Sequence, residues 1–266
     1  MDNHAPLART AAKIAIATRD QIPLDLITRT KQTIAVTGAI GTMLALAVVG
    51  MSTLGWVSLT ATLSIYALVG FLVTRFVAWS HPHPDFGLPN LVTLIRAVLT
   101  AIVAGYTIEI STWSLAPSHH LAWSFAAIAT IALLLDGLDG YLARTIGPKS
   151  DFGARFDMEV DALLVLTLSV LAIVLGKAPF WAIAIGLIRY GFVAAAIALP
   201  WLNAPLAVSL RRKSVCVLQV VCLCLLATPP VSGDVAHALA ALALVAVVWS
   251  FAIDIAWLYR HRHVRS

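Results

Sequence analysis

Four aspartates stand between positions 136 and 161 of a very apolar chain, arranged as two pairs. The first is Asp136-Gly-Leu-Asp139-Gly140-Tyr-Leu-Ala143-Arg144; the second, eight residues on, is Gly153-Ala-Arg-Phe-Asp157-Met-Glu-Val-Asp161. Spacings of i, i+3 and i, i+4 put each pair on one face of a helix. Carboxylates are costly at membrane depth and are kept there for a purpose. If the two helix ends meet, four negative charges converge, and bound cations relieve the repulsion. The pattern therefore predicts a divalent-metal site with Asp136, Asp139, Asp157 and Asp161 as ligands. Gly140, Ala143 and Arg144 continue the first stripe. The two small residues let a flat group lie against the helix, and Arg144 is placed to pair with phosphate oxygens that the metal also touches. Gly153, one turn before Asp157, permits a tight turn or a close helix contact that brings the pairs together. These pieces suit a metal-bridged pyrophosphate with a planar base stacked close to the protein.

The elements that must carry this cluster are membrane helices. The chain has 266 residues, of which 60% are hydrophobic and 12% charged, and a mean hydropathy of +0.91. A soluble domain carries about 25% charged residues. The long continuous apolar runs argue for an all-α polytopic bundle and against a transmembrane barrel, whose strands alternate. Eight runs are long enough to span, near residues 33–51, 55–74, 91–110, 121–143, 158–176, 180–200, 214–231 and 236–258. The segment Ser80-His-Pro-His-Pro-Asp-Phe-Gly-Leu-Pro89 separates the first two from the other six. The expected organisation is a basic N-terminal segment (1–32), a transmembrane hairpin (33–78), a Pro-rich linker (79–89), a six-helix core (90–258) and a basic tail (259–266). Within the first segment, residues 7–31 read either as a short helix at the membrane surface or as a solvated tail, and not as a signal peptide. His81 and His83 alternate with prolines, which is turn chemistry.

Positive charge sets the orientation. With a cytoplasmic N-terminus and strict alternation, 15 of the 18 Lys and Arg residues fall on the inner side, Lys177 alone falls outside, and Arg96 and Arg189 lie within spans. The formal charge of +5 thus follows membrane topology, and no nucleic-acid partner is expected. Trp79, Trp113, Trp123, Trp181, Trp201 and Trp257 sit near span ends, as in an aromatic belt. The aspartate cluster then faces the cytoplasm at the inner edge of the bilayer. Cys216, Cys222 and Cys224 share one apolar run and read as small buried hydrophobes.

The pattern D-x2-D-G-x2-A-R-x8-G-x3-D-x3-D is met at every fixed position, by Asp136, Asp139, Gly140, Ala143, Arg144, Gly153, Asp157 and Asp161. In this the chain resembles the CDP-alcohol phosphotransferase family, whose signature this is. Pro89-Asn90-Leu-Val-Thr93-Leu-Ile-Arg96 also resembles the stretch that opens the family's first core helix. The resemblance implies a reaction in which a CDP-linked alcohol, CDP-diacylglycerol above all, loses CMP and passes its phosphoryl-bearing group to a small alcohol in phospholipid synthesis. It implies one or two Mg²⁺ or Mn²⁺ ions on the four aspartates, with Asp161 as general base. Asp139, Gly140, Ala143, Arg144 and Gly153 would line the nucleotide pocket. It also implies a multi-pass protein of a bacterial inner membrane, among lipids, with its active site toward the cytoplasm.

Departures from the family's lipid-making bacterial members bear on the acceptor. Met158 and Ala162 stand where those members carry proline or serine and lysine, and Glu159 adds a carboxylate about 200° around the helix from Asp157. Glu159 is expected to face solvent or pair with arginine. Arg189 reads as the most buried cation, and with Arg211, Arg212 and Lys213 it is a candidate for an acceptor's phosphate, as in glycerol 3-phosphate or an inositol phosphate; Asp254 would pair with one of these groups. The first two spans are candidates for assembly or a homodimer contact. Two other readings compete: an intramembrane prenyltransferase using Mg²⁺ and a prenyl pyrophosphate, and a divalent-cation transporter. The first needs two aspartate motifs on well-separated helices, and the second needs paired discontinuous spans. Neither pattern is visible.

Overall fold

A computed structural model describes the backbone of residues 5–50, 55–80, 85–113, 118–145, 150–207 and 209–261, and side chains within 25–48, 55–77, 85–113, 118–137, 150–207 and 209–261. Among these residues there are eight long helices and no strand: α1 (Ala5–Gly50), α2 (Trp56–Ser80), α3 (Leu88–Trp113), α4 (His119–Thr145), α5 (Asp151–Val174), α6 (Ile183–Ala198), α7 (Leu210–Ala227) and α8 (Gly233–Arg260). Short 3-10 turns lead into α6 and follow it. Each long helix corresponds to one expected span, so the all-α polytopic reading holds. The basic N-terminal stretch is helical, and α1 runs from Ala5 on into the first expected span. His81 and His83 lie outside the described residues.

Among the described residues six helices are long and apolar enough to cross a membrane, not eight: those containing Asp25–Val48, Trp56–Val77, Leu88–Trp113, His119–Gly137, Phe180–Ala198 and Gly233–Arg260. The shortfall falls on α5 and α7, and its cause is charge. Any 18-residue stretch of α5 or α7 contains at least three charged residues, including Asp157, Glu159 and Asp161 on α5 and Arg211, Arg212 and Lys213 on α7. These two helices carry the polar chemistry and pack on each other.

Successive helices alternate in direction. The α1 helix runs parallel to α3, with Arg29 beside Asp85 at one end (2.5 Å) and the Tyr106 hydroxyl donating to the Ala45 carbonyl toward the other (3.1 Å). Central to the bundle is α3, of which 72% of the spanning stretch is buried. It packs against α1, α2, α4 and α5, while α7 closes on α4, α5 and α8. A helix enclosed on all sides is apolar all round, and α3 is so except at a few polar positions. Gly105 is one of its close contacts: a Cβ there would lie 2.2 Å from Thr62 Oγ1 and 2.4 Å from the Ser58 carbonyl. One turn on, the buried Glu109 carboxylate accepts from the backbone N–H of Gly55 and, at 2.8 Å, of Ser58. It thereby satisfies two of the donors that the start of α2 would leave orphaned. At that same end Lys177, in the α5–α6 connection, donates to the Thr228 carbonyl that closes α7.

Candidate metal centre

The site lies at the opposite end, where α3 and α5 begin side by side. Gly87 takes φ +82° and its carbonyl receives the Leu91 N–H (3.1 Å), opening α3. Asn90 is then pinned by donating Nδ2 to the Phe86 carbonyl (2.5 Å). Ser150 caps α5, its hydroxyl accepting from the Gly153 N–H at 3.0 Å. Phe152 stacks on Phe156 with centroids 5.8 Å apart and meets Phe86 at 6.4 Å, joining the two helix starts. Gly153 faces Asn90 so closely that a Cβ would stand 2.7 Å from Asn90 Oδ1. Its lack of a side chain sets how near α5 lies to α3.

That docking brings Asp157 and Asp161, one and two turns further along α5, beside Arg96 of α3. The guanidinium donates Nη1 to Asp157 Oδ1 (2.5 Å) and Nη2 to Asp161 Oδ1, with Asp136 Oδ1 of α4 at 2.9 Å from Nη2. Arg96 is 1% exposed, whereas the three carboxylates keep 30% (Asp136), 36% (Asp157) and 27% (Asp161). The cation is thus buried beneath the acids, and the acids are the outward face. Asp136 and Asp161 border a small cleft that is also lined by Arg96 and Cys216 and walled by Leu133, Leu164, Val217 and Val220.

Among the described residues one guanidinium faces three carboxylates, so acid outnumbers base at the site and a divalent cation would relieve the excess. One oxygen of each carboxylate lies within 4.8 Å of the others. Ligands on opposite sides of a Mg²⁺ ion stand ~4.2 Å apart, so only a small closure separates this triad from a coordination shell. Carboxylate oxygens are the ligands that Mg²⁺ and Mn²⁺ prefer. The residues present therefore fit a divalent ion.

The structure brings three of the four expected ligands together. Asp139, Gly140, Ala143 and Arg144 occupy the last turns of α4, whose side chains lie outside the described residues. Arg189 is not the most buried cation; Arg96 is. Arg189 keeps 29% exposure and donates to Glu159 Oε1 at 2.5 Å, at the bundle surface rather than in its interior. Arg211 donates to the carbonyl (2.6 Å) and hydroxyl (2.8 Å) of Ser250 and to Asp254 Oδ1 (2.5 Å), and lies over the Trp249 ring. Arg212 donates to the Ala207 carbonyl and stands 3.8 Å from Asp254, so Asp254 belongs to this run; Lys213 is exposed. Cys222 and Cys224 are buried as expected, but Cys216 lines the cleft. An arginine inside a span signals acidic partners, but Arg96 and Arg189 carry that signal equally, and the packing of α3 assigns the cluster to Arg96.

An all-helical multi-pass bundle with an acidic, apolar-walled cleft at one end of its helices defines the class: a membrane protein able to hold a cation beside lipid. The family model for CDP-alcohol phosphatidyltransferase matches residues 86–250, well over half of the chain, and the chain belongs to that family. No solved structure matches it. Membership makes the protein a transferase of phospholipid synthesis that uses a CDP-alcohol donor and an alcohol acceptor in a lipid environment, in a family that generally uses a divalent metal. It decides against the prenyltransferase and transporter readings.

Proposed function

We propose that this protein transfers the phosphatidyl group of CDP-diacylglycerol to a small phosphorylated alcohol, glycerol 3-phosphate or an inositol phosphate, with release of CMP. The observation that carries the reading is the convergence of Asp136, Asp157 and Asp161 on one buried guanidinium at the mouth of a cleft with apolar walls. Asp136, Asp139, Asp157 and Asp161 would hold Mg²⁺ or Mn²⁺. When bound, the ion would neutralise charge that develops on the phosphates during in-line displacement. Asp161 lies at the cleft and is the proposed base: it takes the proton of the acceptor hydroxyl as that oxygen bonds to the phosphatidyl phosphorus. The bond from that phosphorus to the CMP oxygen breaks, and CMP carries the electrons away. Gly140, Ala143, Arg144 and Gly153, with Asp139, form the proposed nucleotide pocket, Gly153 also setting the α3–α5 contact. Leu133, Leu164, Val217 and Val220 leave the lipid portion of the donor in apolar surroundings.

Arg189 is the proposed contact for the acceptor's phosphate, because its present partner Glu159 is 58% exposed and easily exchanged. Lys213 and Arg212 are secondary candidates; Arg211 is committed to Asp254 and Ser250. The site faces the cytoplasm of a bacterial inner membrane in this reading, since Arg29, Arg155, Arg211, Arg212 and Lys213 all belong to its end of the bundle, with α5 and α7 crossing beside the other six helices. The proposed domain division and a homodimer through the first two helices complete it. The test is CMP release from CDP-diacylglycerol by purified protein with Mg²⁺ or Mn²⁺, screened against glycerol 3-phosphate, inositol phosphate, serine and simple polyols. Turnover with an unphosphorylated alcohol alone would refute the acceptor class, and no CMP release with any acceptor would refute the donor.

A further inference from the structure

We infer that Arg96 is a positioning residue that serves as the built-in counter-cation of the carboxylate triad, holding it converged before a divalent ion arrives and setting how tightly that ion binds. This rests on the metal-centre reading of the same site. Arg96 comes from α3, whereas the three acidic partners among the described residues come from α4 and α5, so a single side chain spans three helices. Its two terminal nitrogens divide the work: one serves Asp157, and the other serves both Asp136 and Asp161. A planar fork suits this division, where a lysine ammonium would act as a point charge. Thr100 accepts no part of this charge; its hydroxyl donates back to the Arg96 carbonyl at 2.8 Å and leaves the guanidinium to the acids.

Two opposite consequences follow for the ion. Arg96 lowers the repulsion among the acids, so the triad is formed in advance. Its positive charge also lies within hydrogen-bonding distance of every described ligand, so it opposes a second cation in the same place. At such separations and low dielectric the repulsion outweighs the ordering of three short side chains. Removing Arg96 should therefore tighten metal binding while weakening the metal-free fold. A merely structural arginine would behave otherwise, because its loss would scatter the ligands and loosen the ion.

The experiment measures Mn²⁺ binding by the paramagnetic resonance of free Mn²⁺, and thermal melting in EDTA and in saturating Mg²⁺, on the full chain in detergent. Arg96→Met should bind Mn²⁺ at least about tenfold more tightly than the unchanged protein, melt lower in EDTA, and regain most of the loss in Mg²⁺. Arg96→Lys, which keeps the charge, should stay within about threefold of the unchanged affinity. Equal or weaker Mn²⁺ binding by Arg96→Met overturns the inference, as does an unaltered melt in EDTA. Should Arg96→Met not fold even in Mg²⁺, the unchanged protein decides with arginine side chains isotopically labelled: a buried guanidinium resonance must shift as Mg²⁺ saturates, and its constancy overturns the inference. If the unchanged protein binds no Mn²⁺, or binds it equally after Asp136→Asn and Asp157→Asn, the metal-centre reading itself has failed.

Discussion

Replacing Gly153 by alanine tests how closely the two site-bearing helices must lie. The added methyl would stand 2.7 Å from Asn90 Oδ1 and 3.1 Å from Ser150 Oγ, where ordinary contact begins near 3.4 Å. Asn90 cannot swing aside cheaply, because it is buried and its amide is held by the Phe86 carbonyl. Ser150 cannot either without giving up its cap on α5. Hence α5 must retreat by about 0.7 Å to restore ordinary contact. Overpacking of this kind costs about 1–3 kcal/mol, and melting should fall by several degrees. The larger effect is on the reaction: Asp157 and Asp161 travel with α5 away from Arg96 and Asp136. A misplacement of about 1 Å costs ~10²-fold in rate, so roughly tenfold or more is expected here. The assay is CMP release from CDP-diacylglycerol at a temperature well below the melt. Asn90→Ala should relieve the clash, so Asn90→Ala/Gly153→Ala should be both faster and more stable than Gly153→Ala. Wild-type rates in Gly153→Ala, or a double variant worse than the two single changes added together, would refute the packing argument.

Asp136→Asn, Asp157→Asn and Asp161→Asn should each lower transfer by ~10²–10³-fold while the protein still inserts; near-normal turnover in any one removes that residue from the proposed machinery, and the same holds for Asp139→Asn. Arg189→Gln should raise KM for a phosphorylated acceptor about ten- to a hundredfold and leave KM for the donor unchanged, the loss of one charge-assisted contact; an equal change for both substrates would place Arg189 elsewhere. Glu109→Ala leaves the N–H groups of Gly55 and Ser58 without their acceptor and should cost about 1–3 kcal/mol in a detergent melt. Its specific activity in the cold should stay normal.

The eight helices were legible because long apolar runs interrupted by Pro, Gly and charge leave few alternatives, and, the start of α1 apart, their ends fall within several residues of expectation. A fall in hydropathy marks where a helix leaves lipid, not where it stops, so α1 begins at Ala5, well before the first apolar run. The aspartate faces followed from helical spacing alone. The buried arginine did not, because Arg96 and Arg189 both sit among apolar neighbours in sequence, and only the packing of α3 between α4 and α5 distinguishes an enclosed guanidinium from one resting on an exposed glutamate. Asp254 had several arginines within plausible reach, and the antiparallel pairing of α7 with α8 selects Arg211. Glu109 carries no local signal whatever, since its partners lie more than fifty positions upstream.

That distant glutamate changes what counts as the smallest working form of the enzyme. The family match begins at residue 86, which invites trimming the gene to start at α3. Such a fragment would present to the hydrocarbon a bare carboxylate and a notch at Gly105, both of which α2 now seals. Anyone engineering a compact version must therefore either keep the leading hairpin or redesign one wall of α3 for lipid.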